Sequence, residues 1–174
     1  SKMEICIQNE LHEILKFIDN EREIFGGENN FLATSIINIL WTFTCGAQFQ
    51  RDDPRLKRLL ILLNKRAKAF DMSGGMLSQM PWLRFIAPEK SGFNLISNLN
   101  KEFFQLFMEI ISEHQRELSE GRSSDDFVFA FLKEMKEQEN QENSTFSIKQ
   151  LIIVILDIFI AGATTTSTTI DLVL

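Results

Sequence analysis

The chain has 174 residues, 44% hydrophobic and 24% charged, with eight Gly and three Pro, a balance that excludes disorder and low-complexity or collagen-like architecture. Its net charge of −6 argues against a general nucleic-acid-binding surface. Two Cys, 39 positions apart, give neither a disulfide framework nor a metal-ligand spacing, and sixteen Phe against no Tyr point to a core of apolar rings.

Helical periodicity recurs along the chain and sustained strand-like alternation does not. Met3, Ile7, Leu11, Ile14, Leu15 and Ile18 keep three- and four-residue steps, which predicts an amphipathic helix ending near Asn20. Glu21 to Asn30, with Gly26-Gly27, reads as a connector. Leu32, Ile36, Ile39, Leu40 and Phe43 predict a second helix, more apolar around its circumference, that stops before Gly46. Asp52-Asp53-Pro54 is a helix start, with acids at the positive end of the dipole and Pro in the first turn. Leu56, Leu59, Leu60, Leu63, Ala67 and Phe70 then mark a buried face. Seven basic and two acidic residues lie between Arg51 and Phe70. They form either a solvated basic face or a docking surface for an acidic partner or anionic lipid.

Ser73-Gly74-Gly75 breaks that helix. Met76 to Pro88 is apolar but interrupted by Pro81 and Pro88; it either packs on its own protein or dips into a membrane surface. A long helix follows from about Gly92 to Gly121, with Ile96, Leu99, Phe103, Phe107, Ile110 and Leu118 on one stripe. His114 shares that stripe and reads as a satisfied core or boundary histidine. His12 is too isolated to supply a second metal ligand. Asp125 to Glu137 predicts a short helix burying Val128, Phe131, Leu132 and Met135, and Glu134 to Asn143 reads as its exposed end and a loop. Ser147 and Gln150 form a capping box ahead of a last, very apolar helix from Ile148 onward.

No signal-peptide pattern opens the chain. The longest apolar stretch, Leu151 to Ala163, contains Asp157 and is shorter than the roughly twenty residues a bilayer span requires, so it reads as a core helix. The chain starts without Met and reaches Leu174 with no helix-ending signal, as expected of part of a longer protein.

The chemistry concentrates in Ala161-Gly162-Ala163-Thr164-Thr165-Thr166-Ser167-Thr168-Thr169. Small residues let something flat or bulky approach the backbone. Thr and Ser hydroxyls bond back to carbonyls four residues earlier, loosening the helix and offering a donor to a ligand. Without a ligand, the same run is a Thr-rich bent helix or a weak strand. Asp157 shares a face with Ala161 and Thr164, and a carboxylate there calls for a partner or a polar cavity. No Gly-rich phosphate loop, His/Cys cluster or nucleophile–base pair competes.

The segment Asp157 to Ser167 resembles the long central helix of the cytochrome P-450 haem-thiolate monooxygenases, whose Ala/Gly-Gly-x-Asp/Glu-Thr-Thr/Ser pattern matches Ala161 through Thr166. Trp41-Thr42-Phe43-Thr44-Cys45-Gly46, Phe49, Asp52-Asp53-Pro54 and Pro81-Trp82-Leu83-Arg84 look like a microsomal, insect-type member. The resemblance covers essentially the whole chain. It implies an all-α central fragment of about six helices, with residues 1–174 a partial domain running from the family's helix D through E, F, G and H into most of I.

By that resemblance, Thr165 matches the threonine that helps hold dioxygen and deliver protons. Ala161 and Gly162 match positions packed against the haem and its oxygen groove, with Thr165 beside them. Asp157, Ile160 and Ala161 would border the substrate, joined by Ala67 and Phe70 near the end of helix F. Thr164 stands where most members have Asp or Glu, so a neutral hydroxyl replaces the usual carboxylate on the proton route. The resemblance implies a haem-dependent oxidation of a small apolar substrate. It further implies electrons from NADPH-cytochrome P-450 reductase, residence on the cytosolic face of the endoplasmic reticulum membrane, and membrane contact through the 76–88 loop. The family's thiolate ligand lies in a Phe-x-x-Gly-x-Arg-x-Cys-type segment that does not occur here; Cys6 and Cys45 read as structural thiols, and these residues alone should be inactive. The competing expectation is a non-catalytic helical binding or interaction module.

Overall fold

The computed structural model describes residues 2–20, 31–69, 75–139 and 145–172. Among these there are eight helices and no strand: α1 (Lys2–Asn20), α2 (Phe31–Cys45), α3 (Pro54–Ala69), α4 (Gly75–Gln79), α5 (Leu83–Ile86), α6 (Phe93–Ser119), α7 (Phe127–Glu137) and α8 (Ile148–Asp171). The six long helices fall where the periodicity places them. The two extra are single turns within the segment between α3 and α6, where Pro81 and Pro88 keep either from growing. The predicted connector from Glu21 to Asn30 lies outside the described residues.

Three of the starts have a visible local cause. Pro54 opens α3, and the Asp53 carboxylate accepts the Arg55 backbone N–H at 2.8 Å. Asp126 caps α7 by accepting the Phe129 N–H at 2.8 Å, and Ser147 caps α8 by accepting the Gln150 N–H at 3.2 Å. At the other end of α2, Gly46 adopts φ 75°, a left-handed conformation that a side chain disfavours.

Aromatic rings tie the core together. Trp41 of α2 lies 4.3 Å from Phe49 and 5.7 Å from Phe159 of α8 (ring centroids), and Phe159 lies 6.1 Å from Phe107 of α6, itself 6.2 Å from Phe103. Trp41, Phe103, Phe107 and Phe159 are all fully buried. Each such pair contributes about 0.5–1.5 kcal/mol beyond the area it removes from water. The rings hold α2, α6 and α8 in fixed relation, so the backbone of α8 is anchored along one side.

Several predicted faces shift. In α2 the buried apolar positions are Leu32, Ile37, Trp41 and Cys45, whereas Phe43 points outward, because a helix apolar on all sides carries no stripe to choose. In α3, Leu62 joins Leu56, Leu59 and Leu63 in the core, Leu60 is half-buried and Ala67 is exposed. In α7, Phe129 is buried and Phe131 and Met135 are half-buried. In α1 only one edge packs on α2, leaving Met3, Ile7, Leu11 and Leu15 exposed. Met80, Trp82, Phe85 and Ile86 are also exposed, so the 76–88 segment does not bury these side chains in the chain itself.

Two polar clusters fasten this frame. Glu10 is buried and accepts hydrogen bonds from Asn38 (2.7 Å), Gln48 (2.8 Å) and Arg51 (3.2 Å), tying α1 to α2 and to the segment before α3. His114 Nδ1 lies 2.9 Å from the Ile110 carbonyl and Nε2 lies 3.6 Å from the Asp126 carboxylate. Both neighbours are acceptors, so the doubly protonated ring satisfies both. The Asp126 interaction raises the His114 pKa above its ordinary value, against the opposing effect of burial. Burial alone would push the Asp126 carboxyl up, but the charged contact with His114 and hydrogen bonds from Ser124 and the Phe129 N–H outweigh it and hold it below the carboxylate range.

Candidate functional site

The last helix has two unlike faces. Leu151, Ile152, Ile155, Phe159, Ala163 and Ser167 recur at three- and four-residue steps and are buried against the rest of the bundle. The helix is long and apolar enough to cross a membrane by length and composition, and this stripe packs one side of it on the bundle. Ile153, Asp157, Ala161 and Thr165, also four apart, line the opposite side and are exposed. Ile160 is half-buried at the border between the faces.

The structure therefore brings Asp157, Ala161 and Thr165 onto one open face. Asp157 is exposed and has no ion-pair partner among the described residues. Gly162 is turned elsewhere: a Cβ there would lie 3.0 Å from Leu40 Cδ1, so its missing side chain is what admits α2. Ala67 is exposed near the end of α3, while Phe70 lies outside the described residues. The backbone of Thr164 continues α8, and its side chain lies outside what is described.

The hydroxyls bond as their spacing predicts. Thr165 Oγ1 donates to the Ala161 carbonyl at 2.5 Å, and Thr169 Oγ1 donates to the Thr165 carbonyl at 2.8 Å. The helix stays continuous through both. While Thr165 donates to the backbone, its lone pairs remain available to accept a proton or hydrogen bond from the open side; rotating the hydroxyl turns it into a donor there. A small methyl and a hydroxyl, one turn apart and flanked by Ile160, suit the approach of a flat apolar group bearing one polar centre.

The described residues contain no group of three His, Cys, Asp or Glu able to hold a metal. Burial pushes the Cys45 thiol up to about 12, so it stays protonated and is a poor thiolate ligand. A thiolate ligand for a metal is therefore not offered by Cys45. Three features escaped the sequence reading: the Gly162–Leu40 contact, the Glu10 network, and the pairing of His114 with Asp126. Only the last had a legible signal, since an Asp before an apolar run is a helix cap.

Among the described residues, fold and face together define a helical wall, anchored by aromatic packing, that carries small and hydroxyl side chains on an open face. A family model described as Cytochrome P450 matches residues 2–174, and the chain belongs to that family. It is 44% identical, over its whole length, to Probable cytochrome P450 305a1 of Drosophila melanogaster, covering 35% of that protein. It is 35% identical to Farnesoate epoxidase of Bombyx mori and 34% identical to Cytochrome P450 2D6 of Homo sapiens, in each case over 81% of this chain and 28% of the relative. The chain thus spans about a third or less of the length of these relatives.

Proposed function

We propose that this chain supplies helices D to most of I of a haem-dependent monooxygenase that inserts one oxygen atom of dioxygen into a small apolar substrate, with electrons from NADPH-cytochrome P-450 reductase. The observation that carries the reading is the open face of α8, where Ala161 and Thr165 stand one turn apart and the Thr165 hydroxyl already bonds the Ala161 carbonyl. Two relatives, Farnesoate epoxidase and Vitamin D(3) 25-hydroxylase, bear names of oxygen-inserting activities.

Haem, held by a Cys outside this chain, supplies the redox chemistry that activates dioxygen when bound. Ala161 would leave room for the haem, and Gly162 contributes indirectly by letting α2 brace the helix at that level. Thr165 Oγ1 would exchange its backbone acceptor for dioxygen once it has been reduced with electrons from the reductase, relaying a proton to it and regaining one from water on the open side. Thr164, where most members carry a carboxylate, relays protons as a neutral hydroxyl, and Asp157 lies on the same open face as a further proton-holding group. Ile160 and Ala161 exclude water on the substrate side, and by the family resemblance Ala67 and Phe70 also contact the substrate. The exposed Met80, Trp82, Phe85 and Ile86 contact the cytosolic surface of the endoplasmic reticulum membrane.

The test is a full-length protein containing this chain. It should take up haem, show the thiolate-type carbon monoxide difference spectrum on reduction, and oxidise at least one lipophilic compound from a panel in a reductase-dependent way. A folded product that takes up no haem would favour the non-catalytic binding module.

A further inference from the structure

We propose that the exposed stripe of α3 docks on the headgroups of an anionic phospholipid surface, making the membrane contact selective for lipid charge. This rests on the membrane reading of the 76–88 segment and adds to it a second element and a lipid class. The stretch Arg51 to Phe70 holds seven basic and two acidic residues in a chain whose net charge is −6. Three of the seven are engaged: Arg51 with Glu10, Arg55 with Asp53, and Arg66 with Asn100. Lys57, Arg58, Lys65 and Lys68 form no ion pair with any described residue.

Their placement is ordered. Lys57, Ile61, Lys65 and Lys68 keep four-, four- and three-residue steps, opposite the buried Leu56, Leu59, Leu62 and Leu63. Lys57, Lys65 and Lys68 are exposed, and Ile61 in their midst is 54% exposed. A bare Ile ringed by lysines is the pattern of a helix lying on a lipid interface: the apolar side chain meets the acyl boundary while lysine stems carry their charges to phosphates. The next element continues the theme, with Trp82, Phe85 and Ile86 exposed and the Arg84 guanidinium 4.6 Å from the Phe85 ring centre. The step from Ala69 to Gly75 spans at most about 20 Å of chain. An acidic protein would match the charges but gives no account of the apolar side chains that interrupt and follow them; an anionic bilayer matches both.

The experiment places a genetically encoded, environment-sensitive fluorescent amino acid at position 61 or 85 of the full-length protein in lipid nanodiscs, either zwitterionic or containing phosphatidylserine. The probe at 85 should report an apolar environment in both lipids. The probe at 61 should do so only with phosphatidylserine, and should lose the signal at about 1 M salt, where screening shrinks to about 3 Å. Each Lys→Gln change at 57, 65 or 68 weakens docking by about five-fold, and the triple change by roughly a hundred-fold; the Lys→Arg triple variant keeps the response. If the probe at 85 reports lipid and the probe at 61 ignores lipid charge, the α3 proposal fails and the membrane segment stands. If neither reports lipid, both fail. A response at 61 that needs an added acidic protein overturns the lipid assignment.

Discussion

Gly46 joins the end of α2 to the polar cluster that starts α7, and replacing it by Ala separates two costs that usually come together. Its φ of 75° charges any side chain about 1–2 kcal/mol. A Cβ there would also lie 2.8 Å from Asp126 Oδ2 and 3.0 Å from Ser124 Oγ. Asp126 would have to retreat, weakening its cap on the Phe129 N–H by about 1 kcal/mol and its charged contact with His114 by a further ~1.5 kcal/mol. Gly121 provides the control, since it has the same φ of 75° and nothing within 4 Å of its would-be Cβ. Gly121→Ala should therefore cost about 1 kcal/mol after the loss of unfolded-chain freedom is counted, and Gly46→Ala about 3.5 kcal/mol. In thermal unfolding followed by far-ultraviolet circular dichroism, that is a Tm drop of about 3 °C against about 10 °C. Equal drops for the two variants would refute the crowding argument.

The His114–Asp126 pair should make stability pH-dependent. The raised His114 pKa contributes fully below the unfolded value of 6.5 and is lost as pH climbs through the folded value; the lowered Asp126 pKa contributes above 3.8 and is lost as pH falls through its folded value. Denaturation midpoints should accordingly be pulled furthest apart between wild type and His114→Gln near pH 4–6.5, with the gap narrowing toward pH 8.5; a constant gap would show that the ring does not titrate with folding. Glu10→Ala removes the acceptor of three hydrogen bonds and should cost about 2–4 kcal/mol in chemical denaturation. A cost under about 0.5 kcal/mol would mean that water replaces the carboxylate freely. Gly162→Val drives branches into Leu40 and should destabilise by about 1–3 kcal/mol, whereas Ala161→Val, on the open face, should leave the melting temperature within about 2 °C.

Periodicity located the long helices because capping and turn residues are local: Asp53-Pro54, Asp126, Ser147 and Gly46 act on neighbours within a few positions. It failed on faces where the partner decides. The α2 sequence is apolar all round, so only the rings of Phe49 and Phe159 determine that Trp41 goes inward and Phe43 outward. Similarly, the small residues of α8 look equivalent in sequence, but Ala161 is open and Gly162 is filled by Leu40. The back-bonding of the hydroxyl run was legible from its four-residue steps, whereas Thr165 stood out among those hydroxyls only through the family resemblance. Glu10 was not, because its partners lie 28 to 41 positions away.

The central claim is that the Thr165 hydroxyl passes protons to dioxygen on the open face of α8. It is tested most directly by the ratio of product formed to dioxygen consumed in the full-length protein, for Thr165→Ala and Thr165→Ser. The ratio should fall about ten-fold or more in the alanine variant, with oxygen uptake continuing, and recover largely with serine, which keeps the hydroxyl. An unchanged ratio in Thr165→Ala would contradict the assignment.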